Sequence, residues 1–108
     1  MRAAVASNSN ASGKILSDLA KDKDEEVRLN VAQNSATPAE ILEVLSRDEL
    51  DVVRLEVARN SSTSAKTLAH LSCDKHPIIR RTVAMNKNTQ KELSEHFDYI
   101  QPKWIRWG

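Results

Sequence analysis

The chain has 108 residues, 40% hydrophobic and 29% charged, with a formal net charge of +1, which is ordinary for one soluble globular or repeat domain and excludes a disordered or low-complexity class. Two glycines and three prolines leave no flexible linker, and no apolar run approaches the roughly 20 residues that a membrane-spanning helix needs. The single cysteine, Cys73, has no second thiol in this sequence to pair with; with no apolar secretory core after Met1-Arg2-Ala3-Ala4-Val5-Ala6, the expected location is cytoplasmic.

Self-similarity decides the fold class. Arg2, Arg28, Arg54 and Arg80 are spaced by 26 residues, and so are Val5, Val31, Val57 and Val83. The same spacing links Ala6, Ala32, Ala58 and Ala84, and then Asn8, Asn34, Asn60 and Asn86. Leu16, Leu42 and Leu68, then Leu19, Leu45, Leu71 and Phe97, then Asp22, Asp48 and Asp74 continue it without an insertion. Such a period marks a stacked array whose units are each too small to bury an apolar face alone. The expected fold is all-α, a solenoid of four two-helix repeats forming one domain, 1–108. The units fall near 1–26, 27–52, 53–78 and 79–104, with 98–108 as a C-terminal tail or cap.

Along the chain, the first unit begins with Met1 in the place of Val27. In the second, Glu26–Ala32 is expected to be a helix with Val27, Val31 and Ala32 on its buried face. Asn34 and its column are expected to end that first helix, because asparagine tolerates left-handed backbone and its amide satisfies loose backbone groups. The next helix is expected at Pro38–Leu45, with Ile41, Leu42 and Leu45 inward and Glu40 and Glu43 outward. Thr37 and Glu40 have the spacing of a capping box around Pro38, and Thr89 and Glu92 repeat it. Ser12, Ser64 and Gln90 replace Pro38 elsewhere and Thr67 replaces Ile15 and Ile41, so looser helix starts are expected there. Trp104-Ile105-Arg106 aligns with Val52-Val53-Arg54 as the start of a further unit, and neither end shows a polar capping repeat.

The run V-R-x-x-V-A-x-N-x-x-T-P-x-x-x-L-x-x-L from Val27 to Leu45 resembles the repeat of the leucine-rich repeat variant family, a relative of HEAT and armadillo arrays. The resemblance implies an α-helix and a shorter, partly 3₁₀ helix per unit, stacked into a right-handed superhelix. It implies no particular activity, because the family shares none. Some members carry a cysteine-rich iron–sulfur segment before the repeats; with Cys73 alone, no cluster is carried over and no cofactor is expected.

The arginine column has two readings. Four guanidiniums about 10 Å apart would line a phosphate groove. The competing reading is a structural ladder, favoured because Asp22, Asp48 and Asp74 each precede an arginine by six residues and so sit where a turn meets the next helix. His70, Cys73 and His76 have a spacing at which a helix presents ligands to one metal, but in this register they straddle a turn, and exposed histidines beside an incidental thiol are the expectation. No serine, cysteine or threonine is paired with a base by a recognisable motif, and Gly13 and Gly108 make no phosphate loop. No catalytic residue and no metal site is expected, and the chain is read as a non-enzyme.

Two surface features bear on partners. Tyr99, Ile100, Trp104, Ile105 and Trp107 gather apolar and aromatic side chains in the tail, either as a cover for the last unit or as anchors for another chain. Residues up to Ala58 carry a formal charge of −4 and those from Arg59 onward +5, which in a linear array places opposite charge at opposite ends. The leading reading is a protein-interaction or self-assembly module, homodimeric through its ends, with an otherwise unidentified protein partner. The alternative is a nucleic-acid-binding solenoid using Arg59, Lys66, Arg80, Arg81, Lys87 and Lys91, against which near-neutral charge and the confinement of aromatics to the tail both count.

Overall fold

A computed structural model describes residues 2–89, and all regular structure among them is helical. The order is α1 (Arg2–Ala6), α2 (Gly13–Leu19), α3 (Glu25–Gln33), α4 (Ala39–Leu45), α5 (Asp51–Arg59), α6 (Ala65–Leu71) and α7 (Pro77–Met85). The all-α expectation is met. The second helices α2, α4 and α6 have seven residues each, against nine in α3, α5 and α7, while α1 is described over five. The second helices are α-helical throughout, where the family resemblance implied a partly 3₁₀ form.

Helices of two turns do not persist alone in water, so packing must supply their stability. The long helices lie side by side, α1 on α3, α3 on α5 and α5 on α7, and each short helix rests against the long helix before it and the one after it. The radius of gyration is 15.6 Å, against roughly 13 Å for a compact domain of this length. The core is built from the repeated apolar columns. Val27, Val53 and Ile79, then Val31, Val57 and Val83, then Ala6, Ala32 and Ala58, and from the short helices Leu16, Leu42 and Leu68 with Leu45 and Leu71, are all buried. Each of the larger side chains contributes about 1.5–3 kcal/mol by leaving water. Val27, Val31, Ala32, Leu42 and Leu45 thus face inward as expected, while Ile41 is half-buried.

Helix starts depart from the sequence reading. The Thr37–Glu40 capping box does not form: Pro38 occupies the cap of α4 with no side-chain hydrogen bond. Thr37 instead turns back, its Oγ1 donating to the Val31 carbonyl at 2.8 Å, and Thr63 does the same to Val57 at 2.7 Å. Thr89 lies within the described residues, but Glu92 does not. The starts expected to be loose are the capped ones, because the hydroxyls of Ser12 and Ser64 accept the backbone N–H groups of Ile15 and Thr67. A serine in Pro38's place therefore supplies the bond that proline lacks. Burial varies along the Ile15 column, with Ile41 packed against the core. Ile15 is exposed, whereas Thr67 is buried with its hydroxyl 3.1 Å from Ser64 Oγ.

Candidate functional site

The repeated polar residues tie neighbouring units together. Arg28 Nε on α3 donates to Asp48 Oδ2 at 2.8 Å while its Nη1 donates to the Asp22 carbonyl at 2.8 Å. Arg54 on α5 repeats both contacts, to Asp74 Oδ2 at 2.8 Å and the Asp48 carbonyl at 2.8 Å. Arg2 reaches Asp22 at 2.8 Å. The other carboxylate oxygen shapes the turn: Oδ1 of Asp22, Asp48 and Asp74 accepts the backbone N–H of Asp24, Leu50 and His76 at 2.9, 3.0 and 2.9 Å. The column is a structural ladder, but its carboxylate partner lies twenty residues ahead; the aspartate six residues behind offers its main-chain carbonyl. An arginine side chain is long enough to bridge the turn before its helix and the turn after the following short helix. With the Arg28 and Arg54 side chains only 14% and 10% exposed, neither is free to line a phosphate groove.

The hydrogen bond to Asp48 raises the Arg28 pKa further, keeping it charged. At Asp74 burial alone would raise the carboxyl, but the hydrogen bonds from the Arg54 guanidinium and the His76 N–H outweigh it and hold the group below its usual range. A folded-state pKa below the unfolded value contributes stability that is present above about pH 4 and is lost as pH falls through the folded pKa. Replacing Arg54 by leucine strands this carboxylate and the Asp48 carbonyl, so it should lower stability by about 2 kcal/mol at neutral pH. That deficit should shrink below pH 4 as Asp74 protonates. Urea melts of R54L at pH 7 and pH 3 check both statements.

The asparagine column makes a second ladder. Asn60 Nδ2 donates to the carbonyls of Ala32 and Asn34 at 2.8 and 3.0 Å, and its Oδ1 accepts the Ser62 N–H at 2.8 Å. Asn34 does the same to Ala6, Asn8 and Ala36, and Asn86 to Ala58, Asn60 and Asn88. These residues end the long helices as expected. Their backbone is not left-handed, with φ of −74°, −70° and −70° at Asn34, Asn60 and Asn86. An extended residue here aims its amide back across the boundary at the previous unit.

The described basic residues lie in different surroundings. Arg59 pairs with Glu56 at 3.2 Å and lies beside Thr82 and Met85. Arg80 lies between α6 and α7, and its neighbour Arg81 faces a different depression with Pro77 and Ile78. Lys66 and Lys87 are exposed, and Lys91 lies outside the described residues. Tyr99, Ile100, Trp104, Ile105 and Trp107 lie outside them as well. His70 and Cys73 are exposed, while His76 Nε2 sits 3.2 Å from Asp51 Oδ2. Among the described residues, no three histidine, cysteine, aspartate or glutamate side chains are placed to hold a metal.

The groove between α6 and α7 was missed by sequence reasoning. It holds about 340 Å³ and is lined by Ala65, Leu68, Ala69 and Ser72 on one side and Arg80, Val83 and Ala84 on the other, with Thr89, the last described residue, at its edge. Ala84 is exposed there, although Ala6, Ala32 and Ala58 of its column are fully buried. Arg80 and Ser72 are likewise exposed where Arg54 and Ser46 are buried.

Residues 25–50 match the family model described as Leucine rich repeat variant. That stretch is similar to a leucine rich repeat variant unit. It runs from the start of α3 through the Asn34 turn and α4 to the turn that Asp48 shapes. The matched stretch includes Arg28, Asn34 and Asp48, the residues through which the ladders run. No curated protein and no solved structure was found to match the chain. None of the described helices is long and apolar enough to cross a membrane.

Proposed function

We propose that the chain is a right-handed solenoid of four 26-residue units that serves as a non-catalytic protein-interaction or self-assembly module in the cytoplasm. The observation that carries this reading is where the repeated polar groups point. Arg28, Arg54, Asn34, Asn60 and Asn86 are directed at neighbouring units, and the asparagine bonds recur at separations of 26 and 28 residues. The surface this leaves presents apolar side chains, among them Val44, Val52, Ile78 and Met85, all about half exposed or more. Such a surface suits contact with another protein. The near-neutral net charge of +1 counts against nucleic acid, which favours a basic surface.

Self-association is the form of assembly the sequence favours. Tyr99, Ile100, Trp104, Ile105 and Trp107 supply aromatic and apolar anchors, while the charges of −4 and +5 on the two halves favour a head-to-tail contact that could grow into a filament. A closed two-fold pair that joins the tails satisfies these anchors without growing into a filament. Sedimentation velocity should show a dimer at micromolar concentration, shifted toward monomer by W104A combined with W107A. A chain that stays monomeric to about 1 mM removes self-assembly. Binding to DNA or RNA at about 50 mM salt that falls steeply as salt rises would replace the protein-interaction reading with the nucleic-acid one.

A further inference from the structure

The outer face of the long helices changes character along the array. On α3 it carries Glu25, Glu26 and Gln33, all exposed, as a solvated face does. At the positions of Glu26 and Gln33, α5 carries Val52 and Arg59, and α7 carries Ile78 and Met85. Val52, Ile78 and Met85 are 50%, 48% and 71% exposed, so the core gains little from the exchange. These residues gather in two depressions between α5 and α7. One holds Val52, Leu55 and Ile78 beside Asp51, where the two helices begin; the other holds Met85 beside Arg59, where they end.

The repeat register shows how the rest of the chain relates to this face. Residues 90–108 follow α7 as residues 64–82 follow α5. The latter contain α6 and the start of α7, and they leave Glu25, Glu26 and Gln33 on α3 exposed. A continuation in register therefore leaves the face of α5 and α7 open.

On α5 the exposed pattern is self-complementary. Asp51 is its first residue and Arg59 its last, with Leu55 four residues from each and Val52 between Asp51 and Leu55. A second copy turned end for end sets each carboxylate beside the partner's guanidinium and the apolar centre on its equal. Both charges have room for this. Asp51 Oδ2 lies 3.2 Å from His76 Nε2, and Arg59 Nη1 donates to Glu56 at 3.2 Å. These are weak pairs open to solvent, and carboxylate and guanidinium each keep further hydrogen-bonding positions.

We propose that the face of α5 and α7 forms a two-fold contact with a second copy of this chain, Asp51 meeting the partner's Arg59 and Val52, Leu55 and Ile78 packing at the centre. The proposal rests on the self-assembly reading and adds to it a contact that does not use the tail. A patch of this size belongs to the weak, transient class of interfaces, so it closes at higher concentration than the tails do.

Sedimentation equilibrium of the full 108-residue chain carrying W104A and W107A isolates this contact from the tails. Half-association is expected at about 100 µM. Val52→Glu, which gives α5 the residue that α3 carries at this position, should weaken association about tenfold while the circular dichroism melt stays that of the starting chain. Asp51→Arg and Arg59→Asp should each weaken it about tenfold. An equimolar mixture of these two variants should recover it, because both charge pairs across the mixed dimer are again attractive. In the parent, where the tails also pair, the contact should produce species larger than a dimer, lost with Val52→Glu. Association indifferent to Val52→Glu, a mixture no stronger than either variant alone, or a W104A and W107A chain that is monomeric to about 1 mM overturns the proposal. Association present in that chain but absent from the parent assigns the face to the chain's own tail and overturns it as well. The parent's micromolar dimer reports on the tails, so either contact can fail without the other.

Discussion

Leu45→Ala should lower the stability of the fold by about 2–5 kcal/mol, the range for truncating a fully buried leucine. Leu45 is 1% exposed and belongs to the continuous core cluster. It lies on α4, which contacts both α3 and α5, so the vacated volume sits between units and weakens two contacts together. In a stack whose members touch only their neighbours, a break of this kind propagates along the array. Leu71→Ala, equally buried on α6, should fall in the same range. Ile15→Ala is the control, since Ile15 is 43% exposed although it aligns with Ile41, and it should change stability by less than about 1 kcal/mol. Thermal melts followed by circular dichroism test all three. Curves for Leu45→Ala and Leu71→Ala that overlay the parent would place the inward face of the short helices elsewhere.

The apolar columns were legible in the sequence because burial of a helix face depends only on residue type and period. Val27, Val31, Ala32, Leu42 and Leu45 needed no knowledge of how one unit sits on the next. Partners of the polar columns depend on that placement. The spacing of Asp48 and Arg54 suggested a side-chain pair, but Arg54 meets the Asp48 carbonyl and takes its carboxylate from Asp74. Thr37 read as a cap because it precedes Pro38, whereas its hydroxyl reaches the Val31 carbonyl six residues back; a local motif could not reveal that acceptor in the preceding helix. Serine at positions 12 and 64 looked like a weakened proline and proves to be the working cap.

The asparagine ladder gives a test in which chemistry and sign are both fixed in advance. Asn60 is 6% exposed and makes three hydrogen bonds, as donor to the Ala32 and Asn34 carbonyls and as acceptor from Ser62. Asn60→Ala removes all three and takes the side-chain donor from the Ala32 carbonyl, while the Asn34 carbonyl keeps the Thr37 N–H at 3.1 Å, so it should lower stability by about 2–3 kcal/mol. Asn60→Asp keeps the acceptor that shapes the turn, but its second oxygen replaces a donor facing two carbonyl oxygens. At pH 7 the carboxylate is repelled there and buried, and the loss should equal or exceed that of the alanine variant. Burial and carbonyl neighbours disfavour the charged form, so the variant's folded pKa lies above the unfolded value near 3.9. The protonated acid is therefore the better tolerated form. As pH falls from 7 toward about 4.5, the deficit of Asn60→Asp relative to the parent should narrow while that of Asn60→Ala stays constant. Asn8, in the same column but exposed and bonded through its side chain only to the Asn10 N–H at 2.8 Å, should tolerate alanine with a loss below about 1 kcal/mol. Urea melts at pH 7 and pH 4.5 separate these cases. An Asn60→Asp variant as stable as the parent at pH 7 would mean that the amide does not bridge the units.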